Sequence, residues 1–95
     1  MPTRKKITKI VYIIVNCYGN IYGCHTNVDK ARETFKKQLE LELRTYLNCN
    51  DDSFFTLIKK WRDKENRSFS ECVKLGFAYT PDFWLEIKAV PLIEN

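Results

Sequence analysis

A run of six apolar residues at positions 10–15 constrains this chain more than any other stretch. Most of its side chains are branched at the β-carbon, which favours a strand, and the run is too short to cross a bilayer. Gly19 and Asn20 follow, and both residue types accept the positive φ angles of a tight hairpin turn. A second short stretch, 21–25, returns from that turn. The pattern therefore predicts a β-hairpin over residues 7–25.

The turn also predicts how the two strands of the hairpin are aligned. With Gly19 and Asn20 as the loop, Val15 lies opposite Cys24 and Ile13 lies opposite Thr26. Side chains alternate between the two faces of a strand. One face is therefore predicted to carry Val11, Ile13, Val15, Cys17, Tyr22 and Cys24, and the other Ile10, Tyr12, Ile14, Ile21 and His25.

Both faces of this hairpin are largely apolar, whereas a hairpin with one face in water alternates apolar and polar residues. The helices of the chain can cover one face, and few residues remain for the other. We therefore expect a partner, most simply a second copy of the chain. The alternative is that the long helix covers one face and the later segments cover the other. The residues expected in self-association are Ile10, Tyr12 and Ile14 on the hairpin, with Leu41 and Tyr46 on the long helix.

A long helix is predicted over residues 27–48, with Thr26 as its N-cap and Asp29 in its first turn. Apolar residues recur at spacings of three and four, which forms one continuous stripe along a helix. The stripe consists of Val28, Ala31, Phe35, Leu39, Leu43 and Leu47. The remaining positions of this segment are mostly charged, so its other side is predicted to face water.

Two shorter helices are expected downstream. The first spans about 53–64, with apolar residues on one side and a basic exposed side. Ser68 and Glu71 have the spacing of a capping box, which predicts the start of the second. That helix is expected to reach Leu75 and to end at Gly76, because glycine readily takes the left-handed conformation after a helix.

The last predicted element is a strand over residues 83–90, followed by Pro91, which suits a sheet edge or the end of pairing. Together these elements predict an α+β fold: an antiparallel hairpin plus a C-terminal strand form a three-stranded sheet. One long and one or two short helices pack on one face of that sheet. The length of 95 residues predicts a single domain, 1–95, with residues 1–6 as a basic N-terminal tail.

The balance of charge restricts the class of partner. The chain has 16 basic and 12 acidic residues, for a net charge of +4. That argues against mimicry of DNA and is compatible with an anionic partner. A basic patch is formed by Arg4, Lys5, Lys6, Lys59, Lys60 and Arg62. These residues support an alternative function, a small basic nucleic-acid-binding protein.

The sequence offers little catalytic or metal-binding chemistry. It has three glycines, so it lacks a glycine-rich phosphate loop, and one histidine. The four cysteines do not have the spacing of a zinc site, and Cys17 near the turn is expected to be the most exposed. No catalytic residue, metal site or cofactor is expected, and the protein is not expected to be an enzyme. Since no apolar signal segment lies near Met1, we expect a cytoplasmic protein with free thiols and no membrane association.

The order of these segments resembles that of small proteins encoded by phages and mobile elements. The likeness lies in residues 11–16 and 19–23 of the hairpin and in the helix opening at 26–31. The ending at 68–71 and 83–87 looks like the closing strand of those proteins. Some members of that group counter bacterial defence by blocking an immune complex, and others sequester a nucleotide signal as oligomers. The resemblance implies one of these two roles.

These observations predict a non-enzymatic binding protein, of phage accessory type, that inhibits a host defence system. Its expected partners are a second copy of itself and either a host protein or an anionic nucleotide. The candidate binding residues are Tyr18, Asn20, Tyr22, His25 and Trp84.

Overall fold

A computed structural model describes residues 6–94 of the chain and, among these, the side chains of residues 9–93. The elements are β1 (Lys6–Asn16), β2 (Ile21–His25), α1 (Val28–Tyr46), α2 (Phe54–Glu65), α3 (Phe69–Leu75), β3 (Phe77–Tyr79) and β4 (Trp84–Glu94). The strands form one antiparallel sheet in the order β2-β1-β4-β3. The predicted α+β class is confirmed.

The sheet has four strands rather than the predicted three. The added strand, β3, is only three residues long and follows α3 directly. Gly76 has a φ of 69° and ends α3, so the chain reverses there and Phe77 pairs with Glu86. At the other end of β3, the Thr80 hydroxyl accepts hydrogen bonds from the amides of Asp82 and Phe83. A strand this short carries too little alternation to be recognised in the sequence.

The hairpin loop contains three residues, Cys17, Tyr18 and Gly19, rather than the predicted pair. The Asn16 carbonyl accepts from the Gly19 amide, and Gly19 has a φ of 81°. This is a type I turn followed by a left-handed residue, the common geometry of three-residue hairpin loops. The Asn16 side chain stabilises the loop, because its Oδ1 accepts from the amides of Tyr18 and Asn20 at 3.0 Å each.

The longer loop changes the predicted alignment of β1 and β2. Val15 lies opposite Ile21 instead of Cys24, and Ile13 lies opposite Cys24 instead of Thr26. The position of the loop displaces the partner of Val15 by three residues, and a β-bulge between Ile14 and Val15 reduces the displacement to two at Ile13. The predicted register is therefore wrong.

The helix ends follow capping chemistry. The N-cap of α1 is Asn27 rather than the predicted Thr26, since the Asn27 Oδ1 accepts from the Asp29 and Lys30 amides. Ser53 caps α2, and Ser68 caps α3 by accepting from the Glu71 amide, as the capping-box spacing predicts.

The helical layer lies on one face of the sheet, called the inner face below. Helix α1 packs across β2, β1 and β4, while α2 packs against α1, and α3 against α1 and β3. Ile14, Ala78 and Leu85 from the inner face are buried with the α1 stripe and Trp61 of α2. The α1 residues of this core are Ala31, Phe35, Leu39 and Leu43.

Strands β1 and β4 continue well past their neighbours. β2 pairs with residues 12–15 of β1 and β3 pairs with residues 84–86 of β4, yet β1 and β4 pair from Lys6 to Glu94. The molecule is accordingly elongated, with extents of 59 × 23 × 20 Å. The predicted end of pairing at Pro91 is wrong, because Pro91 lies opposite Ile10 within the ladder. β3 does not reach this part of β4, so the missing amide of Pro91 can face an open edge. Lys6 also lies in β1 and not in a tail, while residues 1–5 lie outside the described part.

Candidate functional site

The five predicted binding residues lie in three different places. Tyr18 and Asn20 are exposed at the tip of the hairpin. Tyr22 and His25 contact the helical layer on the inner side of β2, and Trp84 lies at the start of β4 opposite Tyr79. The structure does not bring the five together into one site.

Two of these residues have structural partners. The Tyr22 hydroxyl accepts a hydrogen bond of 2.7 Å from the Asn16 side-chain amide, which ties β2 to the hairpin loop. The Nε2 atom of His25 lies 2.8 Å from the Thr34 hydroxyl of α1 and joins the strand to the helix. Both contacts support the hairpin and its packing on α1.

The residues predicted for self-association are also divided. Ile14 has 0% of its surface exposed, so it is not available to a partner, and Tyr12 packs against the core. The Tyr46 hydroxyl donates to Glu65 at 2.8 Å. That hydrogen bond, together with partial burial, raises the pKa of the Tyr46 hydroxyl. Leu41 and Ile10 remain exposed. The prediction assigned to the partner the face of the hairpin that the helices cover, and that assignment is wrong.

The uncovered face is the opposite one. It is called the open face below, and its apolar residues include Val11, Ile13, Val15, Ile21, Phe77, Tyr79, Trp84 and Val90. None of these side chains belongs to the buried core, and Ile21 is 64% exposed. Within residues 6–94, the helices that pack on the sheet all bury its inner residues. The open face is therefore an apolar sheet surface that this chain leaves in contact with solvent.

Two opposite charges lie near the middle of the open face. Glu86 and Lys88 are two residues apart on β4, opposite Val15 and Ile13. Alternation therefore places both side chains on the open face. Neither forms an ion pair within the described part of the chain. The middle of the face thus carries one unpaired charge of each sign among apolar residues.

Aromatic residues gather at the β3 edge of the open face. The rings of Phe77 and Tyr79 lie 5.9 Å apart, and Trp84 is the cross-strand neighbour of Tyr79. Together with Cys17 they border a shallow cleft of about 320 Å³. The Arg67 guanidinium lies 3.4 Å from the centre of the Tyr79 ring, a cation–π contact at this edge.

A larger cavity, of about 600 Å³, lies between α2 and α3 and is called the α2–α3 cavity below. Its apolar wall is formed by Phe54, Phe55, Ile58, Phe69 and Val73. The rings of Phe54 and Phe69 meet edge to face with centres 5.0 Å apart. Phe55 is 80% exposed although it is fully apolar. The volume is within the usual range of small-molecule sites.

Four cations border the same cavity: Lys36 from α1, Lys59 and Arg62 from α2, and Arg67 from the connection to α3. None of the four forms an ion pair within residues 9–93. Among the residues whose side chains are described, the lining includes Ser68 and Ser70 but no acidic residue. Anions are therefore favoured in this cavity over cations and neutral molecules.

The predicted basic patch is only partly assembled. Lys59 and Arg62 border the α2–α3 cavity, but Lys60 pairs with Asp52 instead. The hydrogen bond to Asp52 raises the pKa of the Lys60 ammonium. Arg4 and Lys5 lie outside the described residues, and of Lys6 only the backbone is described. Sequence reasoning missed Phe55 and Arg67, although the adjacent pair Phe54-Phe55 was a signal, since one helix face cannot bury both.

The thiols are distributed differently from the expectation. Cys24 is exposed, Cys17 is half-buried, and Cys49 and Cys72 are buried. Burial raises the pKa of the Cys72 thiol. Residues 6–94 contain no cluster of three or more His, Cys, Asp or Glu side chains that could hold a metal ion. Within the same residues, every helix is too short or too polar to cross a membrane.

Comparison of this chain with protein-family models, with curated proteins and with solved structures finds no match. The α+β fold and the two surfaces described above are therefore the basis for assigning a function.

Proposed function

We propose that this chain is a non-enzymatic binding protein that works as a homodimer formed through the open face. The observation that carries the proposal is the apolar surface of the sheet, where Val11, Ile13 and Val15 lack a covering layer within the described chain. A contiguous exposed apolar patch of this kind is typical of an interaction surface.

The size of the open face suits a dimer. β1 and β4 have 11 residues each, and β2 and β3 add 5 and 3. At about 3.3 Å per residue and 4.8 Å between strands, the sheet covers roughly 480 Å² before side-chain relief is counted. Stable interfaces bury about 800 Å² of accessible surface on each partner, which a face of this extent can supply once its side chains are included.

The charges on the open face fit a second copy of the same chain. In a symmetric dimer, the same patch of both copies forms the interface, and contacts occur in reciprocal pairs. A two-fold axis that lies between the two sheets and crosses β4 near Ile87 brings Glu86 of each copy close to Lys88 of the other. Both unpaired charges are then neutralised, which supports a copy of this chain over an unrelated partner.

The dimer is tested by multi-angle light scattering and sedimentation at protein concentrations up to about 0.1 mM. The unaltered chain is expected to dimerise, and Ile13→Lys is expected to leave a monomer because it puts a charge at the centre of the interface. Leu41→Lys is the matched control, since Leu41 is 59% exposed on α1 and outside the open face. A chain that stays monomeric, or an equal effect of both substitutions, contradicts the proposed dimer.

A charge exchange tests the orientation of the two copies. Lys88→Glu is expected to weaken the dimer at least about tenfold, because two acidic residues then meet two others. The double variant Glu86→Lys/Lys88→Glu exchanges the signs and is expected to restore most of the lost affinity. Failure of the double variant to recover shows that Glu86 and Lys88 do not meet across the interface.

The biological role proposed for this dimer is that of a phage-type accessory protein that inhibits a host defence system by occupying a host protein. This role is supported by the resemblance in the order of its segments and by a fold whose evident surfaces are suited to binding. The test is to express the chain in bacteria that carry defined defence systems and to count phage plaques. Recovery of plaques that is lost with Ile13→Lys and retained with Leu41→Lys supports the role. No recovery with any system tested contradicts it.

A further inference from the structure

We infer that the α2–α3 cavity binds a small organic anion with a flat aromatic ring, and that nucleoside phosphates are the class it takes. The inference rests on the proposal that this chain works by binding, but it does not depend on the dimer. The cavity lies in the helical layer, on the other side of the sheet from the open face.

The cavity combines an aromatic wall with positive charges that have no acidic partner among the described residues. Phe55 and the half-buried Phe54 offer ring surfaces within one cavity, and the buried Phe69 ring supports Phe54 from behind. A flat base can stack on such rings or meet their edges. An aliphatic anion would use the charges but not the rings, and a neutral aromatic molecule would use the rings but not the charges.

The cations are arranged around the aromatic wall of the cavity. They come from three different segments, so they surround the cavity rather than forming a stripe along one helix. The Lys36 ammonium lies 5.4 Å from the centre of the Phe54 ring, which places positive charge directly beside an aromatic surface. Arg67 also lines the cavity, and its guanidinium lies against the Tyr79 ring at the β3 edge. A guanidinium presents a planar set of donors that matches two oxygens of a phosphate group.

The cavity also contains neutral hydrogen-bond donors, and two of its features are unfavourable when it is empty. Ser68 and Ser70 place their hydroxyls at the rim, 3.1 Å from each other, and can donate to phosphate oxygens. The cations that line one cavity, none of them in an ion pair within the described residues, repel each other. Phe55 also leaves apolar surface in water. A bound aromatic phosphate relieves both unfavourable features at once.

The test is isothermal titration calorimetry of the full chain with adenosine, guanosine and uridine diphosphates. At least one is expected to bind with a dissociation constant below about 1 mM, the range of weak specific affinity. Adenosine and pyrophosphate, titrated separately, are expected to bind at least about tenfold more weakly, because each supplies only half of the contacts. If none of the diphosphates binds, or if pyrophosphate alone binds as well as they do, the inference is overturned.

Variants with matched controls place the binding in the cavity. Lys59→Gln/Arg62→Gln is expected to weaken binding about tenfold or more through the loss of two charge-assisted contacts. The control Lys37→Gln/Lys74→Gln removes the same charge from exposed residues that do not border the cavity. Phe55→Ala is expected to weaken binding about fivefold or more through lost stacking. Its control is Leu75→Ala, because Leu75 is 77% exposed and lies outside the cavity. Equal losses in variants and controls overturn the inference.

Two further titrations distinguish nucleotide binding in the cavity from binding of nucleic acid and from an effect of the dimer. A short oligothymidylate that binds where free diphosphates do not identifies a nucleic-acid surface and overturns the inference. The monomeric variant Ile13→Lys is expected to retain diphosphate binding, with an affinity at most slightly below that of the unaltered chain. If the chain forms no dimer but binds diphosphates, the dimer is refuted and the cavity inference stands. If the chain dimerises but binds no diphosphate, the cavity inference alone is refuted.

Discussion

Substitution of Asn16 by alanine is expected to destabilise the protein by about 2 kcal/mol. The Asn16 side chain is nearly buried and makes three hydrogen bonds: it accepts from two loop amides and donates to the Tyr22 hydroxyl. Each such bond contributes about 0.5–1.5 kcal/mol net. The two loop amides belong to exposed residues, so water can replace part of what they lose. Three such bonds together contribute about 1.5–4.5 kcal/mol, and the exchange with water keeps the expected loss in the lower half of this total.

The measurement is urea unfolding followed by circular dichroism, with thermal unfolding beside it. A loss of about 2 kcal/mol lowers the midpoint temperature of a domain of this size by roughly 8–16 °C. The control is Asn20→Ala, which makes the same change in the same loop at an exposed side chain. Its expected loss is under about 0.5 kcal/mol. If the two variants lose equal stability, the three hydrogen bonds of Asn16 do not hold the loop, and the account of the hairpin register is refuted.

Two further predictions concern the helical layer. Gly76→Ala is expected to cost more than Gly19→Ala in urea unfolding. Both positions have positive φ, which costs about 1–2 kcal/mol for alanine, but only at Gly76 would the new Cβ lie 3.2 Å from the Cβ of Ile87. Equal losses would show that Ile87 moves aside freely. The raised pKa of Tyr46 means that its bond to Glu65 stabilises the fold fully below pH about 10 and is lost as pH rises through that pKa. Between pH 9 and pH 12, the free energy of unfolding of Tyr46→Phe should therefore fall less than that of the unaltered chain. Parallel curves of unfolding free energy against pH for the two proteins would contradict this.

Local chemistry made most of the elements predictable. Apolar periodicity indicated α1, and the capping serine Ser68 marked the start of α3. The hairpin itself was predicted, but its register was not. Glycine followed by asparagine allows a two-residue turn, yet the side chain of Asn16 favours the longer loop through bonds that only the folded turn reveals. Two competing turn geometries of similar cost cannot be separated by residue type alone.

The face of the hairpin that α1 covers was predicted wrongly for a related reason. Both faces are apolar, so hydrophobicity gave no preference. A side chain at Gly23 would meet the Thr34 methyl at 3.0 Å, so the absence of one lets α1 approach the inner face closely. His25 then bonds to the same threonine. Glycine within a strand often marks such a close approach, and Gly23 was the available signal.

The α2–α3 cavity was harder to predict, because its lining comes from α1, α2, α3 and the connection between the last two. Neighbours in the cavity are far apart in the sequence, and only the adjacent phenylalanines 54 and 55 suggested that one ring would remain uncovered. The charge pattern of α2 was read as a single basic side. In the structure Lys60 turns to Asp52, whereas Lys59 and Arg62 reach the cavity.

The positions of the two binding surfaces determine what a dimer would present. Because the open face and the α2–α3 cavity lie on opposite sides of the sheet, two copies joined through their open faces leave both cavities accessible, one on each outer side. Arg67 connects the two regions, since it borders the cavity and stacks on Tyr79 at the β3 edge. Closing the open face buries that edge and restrains Arg67 from the other side. Dimer formation should therefore strengthen anion binding slightly and through this one residue, so Arg67→Gln is the substitution expected to remove any difference in diphosphate affinity between the dimer and the Ile13→Lys monomer.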